Sequence, residues 1–344
     1  MPKTPGARLI TNKSNIAYLS NFTGSAGFML LTKQKNYLFT DARYTLRAEK
    51  TVKKGIEIVD SKGIKEGWPA ILKKHRISTL GIEESDLTVE RMKRFKKISG
   101  KIKFEDISYL IEKEREIKSK QEIKLLQKSQ DINGKVFIEI KKIIQENQKS
   151  GSKITELDIA WKIKELGNKY GAEDISFEPI VGFGSNSAII HHAPSNRTLK
   201  KNDIVLIDMG MKYQGYCSDM SRTILPPKPS EKQLEIYNLV LKAQVEAIKQ
   251  IKNGITGKKA DAISRDIIKK GGYADYYNHA GGHGIGLDVH ETPSLSEGYN
   301  GKLKSNSVVT VEPGIYLPGE FGVRIEDMVL VGAKGVKNLT KVPK

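Results

Sequence analysis

Cysteine is nearly absent from this chain, which has one, Cys217, among its 344 residues. A disulfide within the chain is therefore impossible, and this fits a reducing compartment. Long apolar runs are also missing, because no stretch approaches the roughly 18 residues that a membrane-spanning helix needs. The first residues, Met-Pro-Lys-Thr-Pro-Gly, contain no apolar signal core. The sequence therefore predicts a soluble, cytoplasmic protein with no membrane partner.

Clustered charge is lacking too, although the chain is strongly basic. It has 58 Lys and Arg against 40 Asp and Glu, which gives a formal net charge of +18. A basic excess can indicate nucleic-acid binding, but here the lysines are spread along the chain without a run of five or six like charges. Lysines on solvated faces are the simpler explanation. Nucleic acid is therefore not expected as a partner.

Length and composition favour two ordinary globular domains, with 38% hydrophobic and 28% charged residues. We predict a first domain over 1–112 and a second over 113–344, separated at the charged junction 111–118. The first alternates short strands and helices, which predicts a small α/β domain. Its predicted elements are a hairpin over 28–40, strands over 56–59, 79–82 and 102–104, and helices over 41–50, 64–75 and 88–98.

The second predicted domain begins with a helix signal. Ser119-Lys-Gln-Glu122 matches a capping box, whose Ser and Glu side chains satisfy free N–H groups at a helix start. This helix is expected to end near residue 148, and similar signals start helices at Thr155 and Ser230. A further helix is predicted over 258–270, and strands over 176–183, 203–210, 215–224, 307–317 and 321–332.

Four carboxylates stand in otherwise apolar, strand-like stretches of this second domain. Asp208 and Asp219 lie on consecutive predicted strands, so a hairpin can place them side by side. Glu312 ends one later apolar stretch and Glu326 lies inside another. Burying a lone carboxylate costs several kcal/mol unless it is paired or bound to a metal. A cation between the acids would offset both their burial and their repulsion.

One histidine, His283, lies along the sequence between the two pairs of acids. It stands in the segment Gly281-Gly-His283-Gly-Ile-Gly286. Glycines on both sides leave the imidazole on a bare backbone that permits close approach of a ligand. An acid in a strand is more often an ion pair, and a Gly-rich histidine segment more often a loop. The five residues together favour a site for two divalent metals, with Mn²⁺, Co²⁺, Zn²⁺ and Fe²⁺ all compatible.

These residues lie in motifs that resemble those of the Xaa-Pro aminopeptidases and prolidases, the pita-bread dinuclear metallopeptidases related to methionine aminopeptidase and creatinase. The resemblance covers nearly the whole chain. It implies an α+β fold, in which a small N-terminal α/β (creatinase-like) domain precedes a C-terminal pita-bread metallopeptidase domain. The matching segments are Phe22-Thr-Gly-Ser-Ala-Gly27, Ile207-Asp208-Met-Gly, Ser218-Asp219-Met-Ser-Arg-Thr, Gly282-His283-Gly-Ile-Gly, Val289-His290-Glu-Thr-Pro, Thr310-Val-Glu312-Pro-Gly and Arg324-Ile-Glu326-Asp.

The resemblance implies a role for each candidate ligand. Asp208 would bind one metal ion, His283 and Glu312 the other, and Asp219 and Glu326 both. Glu312 would also act as the proton shuttle between the attacking hydroxide and the leaving amine. Mn²⁺ is the metal that the family suggests, and the retention of all five ligands argues against creatinase and the family's non-catalytic members.

Further candidates surround these ligands. By the resemblance, His191 or His192 would stabilise the substrate carbonyl and the tetrahedral intermediate, with the spacing from Asn186 favouring His191. The resemblance also places His290 near the scissile bond, as a donor to the developing oxyanion. The plain alternative for these histidines is a position on a solvent-facing loop. Arg324 lies on the same strand face as Glu326 and could orient a ligand carboxylate from behind, as could Tyr316.

The leading expectation for function is an Xaa-Pro aminopeptidase, which removes the N-terminal residue from peptides with proline second. An Xaa-Pro dipeptidase (prolidase) is the close alternative, because one sequence does not reveal whether a wall closes the site beyond proline. A non-catalytic nucleic-acid-binding or ribosome-binding relative on the same fold is more distant. The resemblance also implies a homodimer.

Overall fold

The computed structural model describes residues 5–151 and 153–344. The chain divides into two compact units, Met1–Arg115 and Glu116–Lys344. Among the described residues, no helix combines the length and the apolar character that crossing a bilayer requires.

The first unit alternates strands and helices. Its elements are β1 (Ala7–Ile10), α1 (Lys13–Ser20), β2 (Gly27–Leu31), β3 (Asn36–Thr40), α2 (Thr45–Thr51), β4 (Ile56–Asp60), α3 (Ile64–Lys74), β5 (Thr79–Ile82), α4 (Val89–Ser99), β6 (Lys103–Asp106) and α5 (Leu110–Arg115). The strands form one mixed sheet in the order β4-β3-β2-β1-β5-β6, in which β2 runs antiparallel to both neighbours. The predicted α/β character and the hairpin over 28–40 are confirmed.

Both faces of this sheet are buried, because alternate strand residues enter two different apolar clusters. Leu30 belongs to one cluster and Met29 to the other. On the first face Trp68 packs edge-on against Phe39, with ring centroids 5.6 Å apart. The indole N–H of Trp68 donates to Ser99 Oγ at 2.8 Å, so this fully buried side chain leaves no polar atom unpaired.

One predicted helix start in this unit is wrong. The helix expected from Asp41 begins at Thr45, and residues 41–44 form a turn instead. The Asp41 carboxylate accepts hydrogen bonds from the backbone and the guanidinium of Arg43. An Asp side chain that binds the backbone two residues ahead stabilises a turn rather than a helix.

The helices of the second unit begin where capping residues predict. They are α6 (Lys120–Ser150), α7 (Glu156–Lys169), α8 (Glu231–Gln250) and α9 (Gly257–Lys270). Capping boxes at Ser119, Thr155 and Ser230 have both reciprocal hydrogen bonds. These predicted starts are confirmed because a cap is a local signal that needs no tertiary partner.

The strands of the second unit form several small sheets. They are β7 (Asp174–Ile175), β8 (Ile180–Phe183), β9 (Val205–Met209), β10 (Met211–Tyr213), β11 (Tyr216–Cys217), β12 (Met220–Ile224), β13 (Gly282–Gly284), β14 (Glu291–Leu295), β15 (Val308–Val311), β16 (Gly314–Leu317), β17 (Phe321–Arg324), β18 (Asp327–Val331) and β19 (Val336–Asn338). The sheets have the orders β11-β10-β7, β12-β9-β8, β14-β13-β15-β18-β19 and β16-β17.

Two long hairpins, one formed by β9 to β12 and the other by β15 to β18, pass from one sheet to another part-way along their length. The single strands predicted over 215–224, 307–317 and 321–332 are each broken in two, and the breaks contain Asp219, Glu312 and Glu326. Pro313 follows Glu312 and has no N–H to donate to a ladder, which favours the second break. At each break the chain leaves one sheet and enters the next, so these three acids stand at the junctions between sheets.

Candidate metal centre

The five predicted ligands all lie in these strands or at the breaks between them. Asp208 lies in β9, where it is opposite Ser221 of β12 in the antiparallel register, and Asp219 directly precedes β12, so the two aspartates lie on adjacent arms of one hairpin. His283 is the central residue of β13. The backbone N–H of Glu326 donates to the Ser221 carbonyl at 3.1 Å, which joins the second hairpin to the first.

The structure brings three of these side chains into one cluster and a fourth to its edge. Asp219, His283 and Glu326 each offer one ligand atom, and these atoms lie within 4.8 Å of one another. His283 Nε2 lies 3.6 Å from Asp219 Oδ2 and 3.4 Å from Glu312 Oε1. All four side chains are largely buried, with exposed fractions of the Asp219 and Glu312 side chains of 6% and 17%.

Several carboxylate oxygens of the cluster are buried without a partner. Within the described part of the chain, Asp208 Oδ1, Asp219 Oδ1 and Glu326 Oε1 have no hydrogen-bond donor. A buried anion in this state is costly unless a proton or a cation compensates it. Carboxylates with one imidazole form a ligand set that suits divalent cations, so the residues present fit a metal site.

The titration behaviour of the acids points the same way. Burial and then the charges of Glu326, Asp208 and Glu312 raise the pKa of Asp219 well above its ordinary value. Burial and the neighbouring acids likewise raise the pKa of Glu326. Burial raises the pKa of Glu312 to about 7 against the opposing effect of Arg324. Without a cation, the cluster therefore holds protons near neutral pH.

A buried arginine ties two of the acids together from behind. Arg324 donates to Asp208 Oδ2 at 2.7 Å and, through Nε, to Ser221 Oγ at 2.6 Å. Ser221 in turn donates to Glu326 Oε2 at 2.9 Å. A third nitrogen of Arg324 donates to the Tyr316 hydroxyl at 2.8 Å. The arginine thus contacts Asp208 directly and Glu326 through one hydroxyl.

Glu312 and His283 share a threonine that sequence reasoning did not single out. Thr310 Oγ1 donates to Glu312 Oε1 at 3.1 Å and accepts the backbone N–H of His283 at 3.0 Å. The residue before His283, Gly282, has φ of +157°, and a Cβ there would lie 2.0 Å from the Thr310 carbonyl oxygen. Only glycine allows β13 to approach β15 this closely, and this approach places His283 beside Thr310.

The non-ligand histidines occupy different surroundings. The ring of His290 lies 4.3 Å from that of His283, centroid to centroid, although part of its side chain reaches solvent. Desolvation and then the charge of His283 lower the pKa of His290. His191 is exposed, and it directly follows Ile190, whose carbonyl receives a hydrogen bond of 3.5 Å from Arg324, so it lies near the site. His192 instead pairs with Glu156, at 2.8 Å.

His279 was missed by sequence reasoning. Its Nδ1 donates to the Ala280 carbonyl, so Nε2 is the acceptor and the Tyr316 hydroxyl donates to it at 2.9 Å. Burial lowers the pKa of His279 to about 3, which keeps the ring neutral. The sequence shows only that His279 is one of six histidines and lies four residues before His283. It stands in no recognisable motif.

Comparisons with known proteins identify the family of this chain. Metallopeptidase family M24 matches residues 124–333, and the Creatinase/Prolidase N-terminal domain matches 5–117. The Xaa-Pro dipeptidase of Pyrococcus horikoshii is 37% identical over 337 residues, covering 97% of this chain and 92% of that protein.

Solved structures give the same result. The Xaa-Pro dipeptidase from Bacillus anthracis has a TM-score of 0.93 at 39% identity, covering 99% of this chain and 94% of that one. The X-Pro aminopeptidase from Thermotoga maritima has a TM-score of 0.91 at 33% identity, covering 98% and 96%. The predicted fold, a creatinase-like domain followed by a pita-bread domain, is thus confirmed. This chain belongs to metallopeptidase family M24 and is a metal-dependent peptide hydrolase.

Proposed function

We propose that this chain hydrolyses the peptide bond that precedes proline, and that Xaa-Pro dipeptides are its main substrates. The observation that carries the proposal is the cluster of Asp219, His283 and Glu326, in which Asp219 Oδ1 and Glu326 Oε1 are buried with no donor among the described residues. Prolidases at 35% identity match 99% of the chain in structure, which supports the dipeptidase activity. The aminopeptidase expected from the sequence is the second candidate, supported by the Thermotoga relative.

Two divalent metal ions belong to this proposal. Asp208 would hold one, His283 and Glu312 the other, and Asp219 and Glu326 both. When bound, such ions supply Lewis acidity that polarises the scissile carbonyl and activates water. Mn²⁺ is the proposed metal, although the ligand types also suit Co²⁺, Zn²⁺ and Fe²⁺.

The remaining side chains are assigned proton and hydrogen-bond roles. Glu312, whose pKa is about 7 in the metal-free protein, would carry a proton from the attacking water to the leaving amine. His290, packed on the ligand His283, and His191 would donate to the carbonyl oxygen as negative charge develops there. Arg324 and Tyr316 hold Asp208 in place, as their hydrogen bonds indicate.

We also propose a location, an oligomeric state and domain bounds for this chain. The one cysteine fits a cytoplasmic location, because the chain needs no oxidising compartment. A homodimer is expected from the family, and light scattering on a sizing column would test it. The functional domains are proposed to be 1–112 and 113–344.

The decisive experiment measures hydrolysis of Ala-Pro and Ala-Pro-Ala by metal-stripped protein, with and without added Mn²⁺. Cleavage of Ala-Pro that requires metal and is lost in Asp219→Asn supports the proposal. The exposed Asp275→Asn, in the same unit, is the matched control and should retain activity. Faster cleavage of Ala-Pro-Ala would favour the aminopeptidase. No cleavage with any of the four metals would refute the proposed Xaa-Pro activity and make a nucleic-acid-binding function the next hypothesis, to be tested by RNA mobility shift.

A further inference from the structure

The segment 183–195, which contains His191, is held at both ends by one carboxylate. That carboxylate belongs to Glu156, in the first turn of α7, and its side chain is 0% exposed. At the start of the segment, Oε1 of Glu156 accepts the backbone N–H of Phe183 at 2.8 Å and the side-chain amide of Asn186 at 3.0 Å.

The other oxygen of Glu156 binds the end of the segment. Its Oε2 accepts the backbone N–H of Ser195 at 3.0 Å, the Ser195 hydroxyl at 2.6 Å and Nε2–H of His192 at 2.8 Å. Five donors therefore converge on one buried carboxylate. Burial alone raises the pKa of Glu156, but the hydrogen bonds from Ser195, His192, Phe183 and Asn186 outweigh it, and the pKa is lowered.

The middle of the segment lies against the metal centre. Ser187 Oγ accepts the backbone N–H of Gly322 at 2.8 Å, and Ile190 packs against the apolar cluster that contains Tyr316. The Ile190 carbonyl also receives a long hydrogen bond, 3.5 Å, from Arg324. Because His192 is paired with Glu156, His191 is the member of the pair available to the site, and it directly follows Ile190, whose carbonyl contacts Arg324.

We infer that Glu156 is a positioning residue: by holding both ends of the segment 183–195, it fixes His191 against the metal centre. The catalytic consequence rests on the proposed function, in which His191 donates to the substrate carbonyl. A displacement of such a donor by about 1 Å can lower the rate by about a hundredfold. Glu156 itself contacts no proposed ligand and acts through the loop alone.

Glu156→Gln tests the inference because it keeps the shape of the side chain but breaks its hydrogen bonding at one end of the segment. An amide has one acceptor oxygen and one donor nitrogen, whereas each end of the segment offers Glu156 a backbone N–H, of Phe183 or of Ser195, that can only donate. Whichever way the amide turns, one of these two N–H groups faces another N–H and loses its bond to residue 156. Ser195→Ala is a milder second variant, which removes the 2.6 Å bond to Glu156 and the 3.2 Å bond that Ser195 Oγ accepts from the Arg197 N–H. Glu165→Gln, on the exposed face of the same helix, is the matched control.

The first measurement is a double-mutant cycle on Ala-Pro hydrolysis with Glu156→Gln and His191→Ala. We expect Glu156→Gln to lower kcat/KM by about tenfold or more in the natural sequence, and by less than about twofold when His191 is already Ala. Metal content should be unchanged, and Glu165→Gln should stay within about twofold. Equal losses in both backgrounds would overturn the inference, because Glu156 would then act independently of His191.

The second measurement is amide hydrogen exchange, which requires no activity. Amides of 184–195 should exchange at least about tenfold faster in Glu156→Gln, with a smaller increase in Ser195→Ala, whereas those of β9 should not change. Unchanged exchange of the segment would refute the anchoring whether or not the protein cleaves Ala-Pro. If the natural protein cleaves no Xaa-Pro substrate, the proposed function fails on that assay, and exchange alone then decides whether Glu156 holds the loop.

Discussion

Glu312→Gln should have opposite effects on stability in the metal-free and the metal-loaded protein. The Glu312 carboxyl has a pKa of about 7, against an ordinary value of 4.5, because it is buried beside other acids. Between these two values the folded protein binds the Glu312 proton more tightly than the unfolded chain does. Its stabilising contribution is therefore complete below pH 4.5 and is lost as the pH rises through about 7.

The magnitude follows from that difference. A rise from 4.5 to about 7, at about 1.4 kcal/mol per pKa unit, corresponds to about 3 kcal/mol. Glutamine resembles the protonated side chain and does not titrate, so metal-free Glu312→Gln should be more stable than the natural protein by about 3 kcal/mol at pH 8. The two should be nearly equal at pH 4.5. In the metal-loaded protein the order should reverse, because the variant lacks a proposed ligand.

Urea unfolding at several pH values, with chelator or with Mn²⁺, measures these differences. Comparison with the variant is essential because His279, His283 and His290 have lowered pKa values, and their contributions rise with pH up to about 6.5 in both proteins. The exposed Glu297→Gln should change stability by less than about 0.5 kcal/mol. Metal-free Glu312→Gln that is less stable than the natural protein at pH 8 would refute the reasoning.

Two further outcomes are expected from the buried charges. Arg324→Lys should weaken metal binding or activity by about 10–100-fold, because a lysine cannot reproduce the three hydrogen bonds to Asp208, Ser221 and Tyr316. Calorimetric metal titration measures this, and unchanged affinity and activity would contradict it. Asp327→Ala should destabilise the fold by about 3–5 kcal/mol in urea unfolding, because it removes the carboxylate that lies 2.8 Å from the buried guanidinium of Arg222. A loss below about 1 kcal/mol would show that another group compensates the charge of this arginine.

Local signals in the sequence predicted the helices and the candidate acids. The reciprocal bonds of Ser119 and Glu122 depend on four consecutive residues, so a capping box can be recognised without knowledge of the fold. An acid within an apolar stretch, such as Asp208, is equally visible. Both signals lie in neighbouring residues, so neither requires knowledge of the fold.

Partners far apart in the chain could not be predicted. Arg324 was expected to orient some ligand carboxylate, but its choice of Asp208, 116 positions away, depends on how two hairpins pack. Glu156 resembles any acid in the first turn of a helix, because its five donors come from a later segment. The strand breaks at Glu312 and Glu326 also escaped prediction, since apolar residues continue on both sides while the pairing partner changes.

The passage of the two hairpins between sheets has a consequence for biosynthesis. The contacts that join them have long sequence separations, 105 positions for Ser221 with Glu326 and 116 for Asp208 with Arg324. Contacts of this kind form late, because closing a long loop costs entropy before any contact offsets it. A nascent chain that has not yet released residues up to 331 from the ribosome cannot assemble the cluster. Chains that end before the strand β18 therefore lack the cluster.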